Sequence, residues 1–254
     1  MNILFLGDIF GKPGRKIVKD FLPDFINNNN IDLCIANCDN LTDGKGVSES
    51  TINEMVQAGV NIFSSGNHFY DRKESIEFIS KEKRIAKPLN YPKDAPGNRY
   101  ILHKVKNNDV LLLTLFGQAF MNPVDSPFFA LENFLESFPN LPKCIIVDFH
   151  AESTAEKKTF AYYFDGKVSA ILGTHTHIQT ADEQILPNGT GYITDVGMCG
   201  SHDSIIGVRK EEAFHKIKTG MPIKHFTAEE GLKINAVLLE IDENTGKAVN
   251  MTRI

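Results

Sequence analysis

The sequence predicts an α/β fold, a single domain over residues 1–254 with two stacked sheets between helical layers. Short apolar runs rich in Ile, Leu, Val and Phe alternate with segments carrying helix signals, as a layered α/β chain should. Five of those runs also stop at a residue able to bind a metal. They are Ile3–Gly7 before Asp8, Leu33–Cys38 before Asp39 and Asn40, Ile62–Gly66 before Asn67 and His68, Cys144–Phe149 before His150, and Ala170–Thr174 before His175 and His177. Runs of this length read as buried strands, and open α/β sheets bind ligands beyond the carboxyl ends of their strands. A metal centre at those ends is the first expectation.

Taken in order, the first run is followed by an amphipathic stretch, Gly14–Ile26, read as a helix that the asparagines 27–30 bring to an end. Thr51 and Glu54 have capping-box spacing, and the helix they would open ends near Gly59. Asp71 and Glu74 repeat that spacing ahead of Ile76, Phe78 and Ile79. Residues 87–97 hold Pro88, Pro92 and Pro96, which cannot continue a helix or donate to a central ladder, so they read as a surface connection. Tyr100–Lys106, a turn at residues 107–109 and Val110–Leu115 read as a hairpin. Helices are expected at Phe128–Phe138 and Thr154–Phe164. Ile234–Ile241 and Ala248–Arg253 read as a second hairpin with Gly246 in its turn.

The chain has 254 residues, 42% of them hydrophobic and 23% charged, enough to bury a sizeable core. Its formal charge of −5 provides no global basic field for non-specific nucleic-acid binding. The four cysteines contain no Cys-x-x-Cys pair, and Cys34 and Cys144 sit inside apolar runs, so they read as small buried residues rather than a disulfide framework. No stretch approaches the ~20 apolar residues that span a bilayer, and the first run is too short for a signal-peptide core. A cytoplasmic protein with no membrane partner is expected.

Asp, Asn and His without thiolate suit ions such as Mn, Fe or Zn. His175 and His177 are two residues apart, and on an extended backbone both rings would point the same way and serve two adjacent ions. Taken alone, Asp8 reads equally as a turn residue ahead of Gly11 and Pro13, and Asn67 as a left-handed turn after Gly66. Asp39 is the candidate bridging carboxylate. Asparagine oxygens bind hard cations without adding charge, which would leave a dinuclear centre positive and attractive to phosphate esters. Around this set, Asp148 and Glu152 flank His150 and could orient an imidazole. Asp195 closes a further strand signal. Lys45, Arg72 and Arg209 are either phosphate contacts or solvated cations. Asp43 reads as a solvated turn residue, and His103, His202, His215 and His225 as structural or exposed.

Gly7-Asp8, Asp39-Asn40, Gly66-Asn67-His68, Asp148-Phe149-His150-Ala151-Glu152 and Gly173-Thr174-His175-Thr176-His177 resemble, in order and spacing, the signature blocks of calcineurin-like metallophosphoesterases. More narrowly, the whole chain is similar to the YmdB-like branch of bacterial phosphodiesterases. Gly44-Lys45-Gly46, Gln179–Asp182 and Ile193–Met198 support that branch. The resemblance implies a four-layer αββα sandwich, metallophosphoesterase-like, with a dinuclear metal site at the strand C-terminal ends. Two divalent or mixed-valence ions are implied, iron or manganese before zinc or magnesium. Asp8, Asn40 and His177 would hold one ion, Asn67, His150 and His175 the other, and Asp39 would bridge. His68 would be the general acid rather than a ligand. The chain departs from the pattern twice. Phe10 stands where the wider superfamily has a histidine, with Asn40 expected to compensate. Asp39 stands where the branch usually has glutamate, although aspartate bridges in the wider superfamily.

The expected activity is therefore metal-dependent hydrolysis of a small phosphodiester, with cyclic nucleotides (2',3'- or 3',5'-cyclic) the substrate class that the resemblance implies. A hydroxide activated by two ions roughly 3.5–4 Å apart would attack phosphorus in line with the leaving oxygen. His68 would protonate that oxygen. The competing readings are an RNA phosphodiesterase on the same centre, a phosphomonoesterase, and a regulatory nucleotide-binding protein with little turnover. Nucleic acid enters only as a substrate, and a homo-oligomer is compatible with the resemblance.

Overall fold

The structure, a computed structural model, describes residues 1–254. The first run of the chain divides into β1 (Asn2–Leu6) and β2 (Asp8–Ile9), followed by helix α1 (Gly11–Asn29). Then come β3 (Leu33–Asn37), α2 (Glu49–Ala58), β4 (Ile62–Ser64) and, after a 3-10 turn at Lys73–Ser75, α3 (Ile76–Lys81). The hairpin β5 (Ile101–Val105) and β6 (Asn108–Phe116) leads to α4 (Pro127–Ser137), β7 (Cys144–His150), α5 (Thr154–Tyr163) and β8 (Ala170–Thr174). Short strands β9 (Gln184–Ile185), β10 (Gly191–Ile193) and β11 (Met198–Ser201) precede α6 (Lys210–Thr219). The chain closes with β12 (Leu232–Lys233), β13 (Ala236–Ile241) and β14 (Ala248–Arg253). No helix is long and apolar enough to cross a membrane.

The result is a mixed α/β fold. One sheet runs β14-β13-β1-β3-β4, a second runs β5-β6-β7-β8-β10-β9, and β12-β11-β2 form a small third. The central neighbours β1, β3 and β4 are parallel, as are β6, β7, β8 and β10. Alternation along the strands divides the core. Ile3, Phe5, Leu33 and Ile35 of the first sheet meet Leu112, Ile146, Ala170 and Leu172 of the second in one buried cluster. The opposite face of the first sheet, with Leu4, Leu6, Cys34 and Ala36, packs on Val18 and Leu22 of α1 and Ile52 and Met55 of α2. On the far side, Leu111, Leu113, Ile145 and Val147 pack on Leu131 of α4 and on Phe160 and Phe164 at α5. Both parallel sets are covered on two faces, which is why their strands are nearly continuous apolar runs.

Several local expectations need correction. The capping box at α2 is Ser48 and Thr51, one position set earlier than Thr51 and Glu54, and Glu54 instead faces Arg15 at 2.6 Å. Gly59 does close α2, in the left-handed conformation at φ 115°. Asp71 caps nothing: the 3-10 turn begins after Arg72 without a side-chain cap. The asparagines do not stop α1 outright, because Asn27–Asn29 stay helical and Asn30 alone turns left-handed, at φ 50°. The first hairpin has a two-residue turn, Lys106-Asn107, since Val105 already faces Asn108. The second hairpin lies where expected, with Gly246 at φ 74°. All four cysteines are free and buried.

Candidate metal centre

Strand register assembles the site. β3 and β4 end side by side with Asn37 opposite Ser64, so Asp39, Asn40, Asn67 and His68 leave adjacent strand ends. In the second sheet His150 lies opposite Thr174, which delivers His150, His175 and His177 to one edge. Asp8 comes from β2, held parallel to β11 by the Met198 pairing.

The side chains gather in two groups. In one, His177 Nε2 lies 3.2 Å from Asn40 Oδ1 and 3.9 Å from Asp8 Oδ1. In the other, His150 Nε2 lies 2.9 Å from Asn67 Oδ1, 3.2 Å from His175 Nδ1 and 3.5 Å from Asp39 Oδ2. No three His, Cys, Asp or Glu side chains converge closely enough to hold an ion by themselves, and each group also contains an asparagine oxygen. Asp8 Oδ1 is buried with no hydrogen-bond partner. Gly66 passes so close that a Cβ there would fall 2.5 Å from both Asp39 Cγ and His150 Nε2.

Each imidazole is anchored by its far nitrogen, which fixes the tautomer. His177 Nδ1 donates to the Ile206 carbonyl at 2.9 Å, leaving Nε2 bare. The Thr174 hydroxyl donates to Asp148 Oδ1 at 2.6 Å and so accepts from His150 Nδ1 at 2.8 Å, leaving His150 Nε2 bare. His175 Nε2 faces Glu152 at 3.2 Å, leaving Nδ1 bare. Two bare nitrogens, of His150 and His175, thus meet at 3.2 Å. Two nitrogens each ~2.1 Å from a common ion lie about 3 Å apart, so this spacing suits ligands of one cation.

Burial dominates the electrostatics. It pushes the Asp8 carboxyl up to about 7, with the nearby charge of Asp195 adding to the effect. It raises Asp39 well above the usual carboxylate range, helped by Asp8. Burial likewise drives His150 far down and His175 to about 4, and lowers His177. Neutral imidazoles and buried carboxylates that disfavour each other's charge form a donor set that cations would stabilise.

His68 stands apart from both groups. Its backbone N–H donates to the Asp39 carboxylate at 2.9 and 3.1 Å, while its ring Nδ1 meets Asp71 Oδ2 at 2.7 Å. The ring faces a cleft of about 790 Å³, shared with Asp39, Asn40, Lys45, His175 and His177. Asp8 and His150 do not line it and are 0% and 1% exposed.

Seven of the eight expected site residues therefore fall in the two groups, with His68 beside them, but His175 and His177 do so for another reason than expected. They lie past the end of β8 with φ of 99° and 67°, so a left-handed bend, not strand alternation, sends their rings to different groups. Such backbone is costly for a non-glycine residue and persists only where its surroundings hold it. The holder is Asp195, which accepts from Thr176 N at 3.1 Å and pairs with Lys157 at 2.8 Å, and Lys157 also donates to the Thr174 carbonyl at 2.8 Å. Sequence reasoning missed Lys157, although it occupies the apolar stripe of α5 with Phe160, Ala161 and Phe164. It also missed Asp71 as the partner of His68.

Among the outer residues, Lys45 lines the cleft, whereas Arg72 pairs with Glu74 at 3.0 Å and Arg209 lies over the Phe226 ring at 5.6 Å. Asp43 is exposed, as expected, but borders the cleft. Phe10 meets His177 edge-on at 5.4 Å. His202 is tied to the Met198 carbonyl at 3.1 Å, His215 is exposed, and His225 lines the cleft.

The chain is similar to known proteins over its full length. The family described as "YmdB-like protein" matches residues 4–254. A Bacillus subtilis (strain 168) protein named 2',3'-cyclic-nucleotide 2'-phosphodiesterase is 38% identical over 254 residues, 100% of this chain and 96% of that protein. A crystal structure of a hypothetical protein from Thermus thermophilus superposes with a TM-score of 0.94 at 38% identity, covering 100% of this chain and 98% of that one. Another, titled a novel phosphatase and from Mycoplasma pneumoniae, gives 0.95 at 34% identity, covering 100% and 92%.

Proposed function

Because the chain belongs to the YmdB-like family, we propose that it is a metal-dependent phosphodiesterase acting on small phosphodiesters, with 2',3'-cyclic nucleotides as the first substrate class to test. The observation that carries the proposal is the set of three imidazoles whose far nitrogens are all occupied, leaving bare nitrogens among Asp8, Asp39, Asn40 and Asn67. The name of the Bacillus subtilis relative supports the 2',3'-cyclic choice. The packing of α1 and α2, two sheets, and α4 and α5 is read here as the four-layer αββα arrangement.

In this reading Asp8, Asn40 and His177 would hold one ion and Asn67, His150 and His175 the other, with Asp39 as the carboxylate that would be shared between them. Bound there, iron or manganese would supply Lewis-acid charge and an acidified water as nucleophile. The protein's own residues do the rest. Thr174, Glu152 and the Ile206 carbonyl orient the three imidazoles. Asp71 holds His68 by Nδ1, so that Nε2 is free to deliver a proton to the departing oxygen. Lys45 at the cleft edge offers a cation to the phosphoryl oxygens.

The test is protein purified anaerobically, assayed for metal, and given 2',3'-cyclic nucleotides, 3',5'-cyclic nucleotides, oligoribonucleotides and a phosphomonoester. Metal-dependent turnover highest on a cyclic diester is expected. No diester turnover with metal bound, or a preference for the monoester, would overturn the proposal.

A further inference from the structure

The cleft over the centre continues along a wall whose side chains the hydrolytic roles leave unused. Residues 204–227 build it, including α6, which has no buried residue. The segment is closed by its own backbone: Arg209 N donates to the Phe226 carbonyl at 3.0 Å, and Ala228 N to that of Gly207 at 2.9 Å. It is also registered to the centre, since the Ile206 carbonyl is the group that anchors His177, at 2.9 Å. Gly207 lies against the Phe10 ring, where a Cβ would come within 2.5 Å. The wall's position therefore follows that of the metal-binding groups.

Its chemistry is mostly not that of a phosphate site, with Lys216 its one lysine or arginine lining the cleft. Ile206, Ile217, Ile223 and Phe226 give it an apolar surface, with Phe226 44% exposed. Beside them His225 also lines the cleft; its Nδ1 is enclosed, so Nε2 is the nitrogen a ligand can reach. At about 790 Å³ the cleft is in the size range that holds a whole small ligand, far more than one phosphoryl group needs. A planar aromatic group with hydrogen-bonding edges would use both features: a ring to stack on and a nitrogen to pair with. A ribose or a simple alkyl diester would use neither.

We infer that Phe226 and His225 form a nucleobase subsite, with the Phe226 ring stacking on the base and His225 Nε2 pairing with its edge. This rests on the phosphodiesterase reading and assigns the residues that would make the enzyme prefer nucleotides over other small diesters. Arg209 and Lys224 lie 5.6 and 5.1 Å from the Phe226 centroid and add cationic charge beside the subsite.

The test compares adenosine 2',3'-cyclic phosphate with the base-free methyl riboside 2',3'-cyclic phosphate on the metal-loaded enzyme. The ratio of their kcat/KM values is expected to be roughly tenfold or more, as one stacked base typically provides. Phe226→Ala should bring it near one, Phe226→Tyr should restore it, and His225→Ala should lower it by a smaller factor. In parallel, calorimetry compares the affinities of adenosine 3'-monophosphate and methyl riboside 3'-phosphate, with the same ratios expected. A wild-type ratio near one, or an unaltered ratio in Phe226→Ala, overturns the subsite while hydrolysis of both diesters leaves the phosphodiesterase reading standing. If neither diester is hydrolysed, that reading fails and the calorimetric ratio decides the subsite alone.

Discussion

Replacing Lys157 by methionine keeps most of the side-chain volume and removes the ammonium that faces Asp195. The two side chains are 1% and 0% exposed and 2.8 Å apart. Removing one partner of a buried pair costs about 3–5 kcal/mol, because the remaining charge has neither water nor a counter-ion. For a chain of this size each kcal/mol moves Tm by about 2–4 °C, so Lys157→Met should lower Tm by about 6–20 °C. Scanning calorimetry on chelator-treated protein measures this without the added stability of bound metal. The double variant Lys157→Met with Asp195→Asn should recover part of the loss, since no uncompensated carboxylate remains. Recovery stays partial because both Asp195 oxygens accept backbone N–H groups, from Gly197 at 2.8 Å and Thr176 at 3.1 Å, and asparagine has one oxygen. Metal affinity should fall as well, since Thr176 sits between His175 and His177. A Tm drop below about 3 °C, or a double variant no more stable than the single one, would refute the reasoning.

His68→Ala should retain its metal by elemental analysis yet lose about 10²–10⁴-fold in kcat, and unchanged turnover would remove its role as acid. Gly66→Ala should keep its circular dichroism but lose metal, because the new methyl collides with Asp39 and His150 at 2.5 Å; full occupancy would show that the two groups yield easily. Asp182 accepts from Thr180 Oγ1 at 2.6 Å and from Thr194 N at 3.1 Å, and although burial opposes them, these bonds hold its carboxyl below the ordinary 3.8. With the folded value below the unfolded one, its stabilisation is present above the unfolded value and lost as pH falls through the folded one. Acid titration of Asp182→Asn should therefore show lower stability at neutral pH and a shallower loss below 3.8, whereas parallel curves would contradict the linkage.

Much of the fold was legible because buried parallel strands are apolar on both faces and announce themselves as short runs ending in polar residues. The five run ends marked the site for the same reason. Segments whose structure depends on tertiary contacts were hidden. Asp8 belongs to a two-residue strand that exists only through its pairing with Met198 and Cys199. His175 and His177 sit in a strained bend set by Asp195, which local sequence does not encode. Asp71 had the spacing of a cap, but its carboxylate is drawn to His68 instead. Lys157 was the one missed residue with a readable signal, a lysine on the inner stripe of an otherwise apolar helix face. The wall at residues 204–227 gave no signal at all, since its apolar residues are held exposed at the cleft edge.

In the proposed centre, Asp39 joins two metal-binding groups into one. Elemental analysis of protein stripped with chelator and reloaded anaerobically with iron or manganese tests this most directly, in the wild type beside Asp39→Ala. Two ions per chain in the wild type, with most metal lost from Asp39→Ala, is the expected result. Two ions retained by Asp39→Ala, or no stoichiometric metal in the wild type, would show that Asp39 does not bridge a dinuclear site.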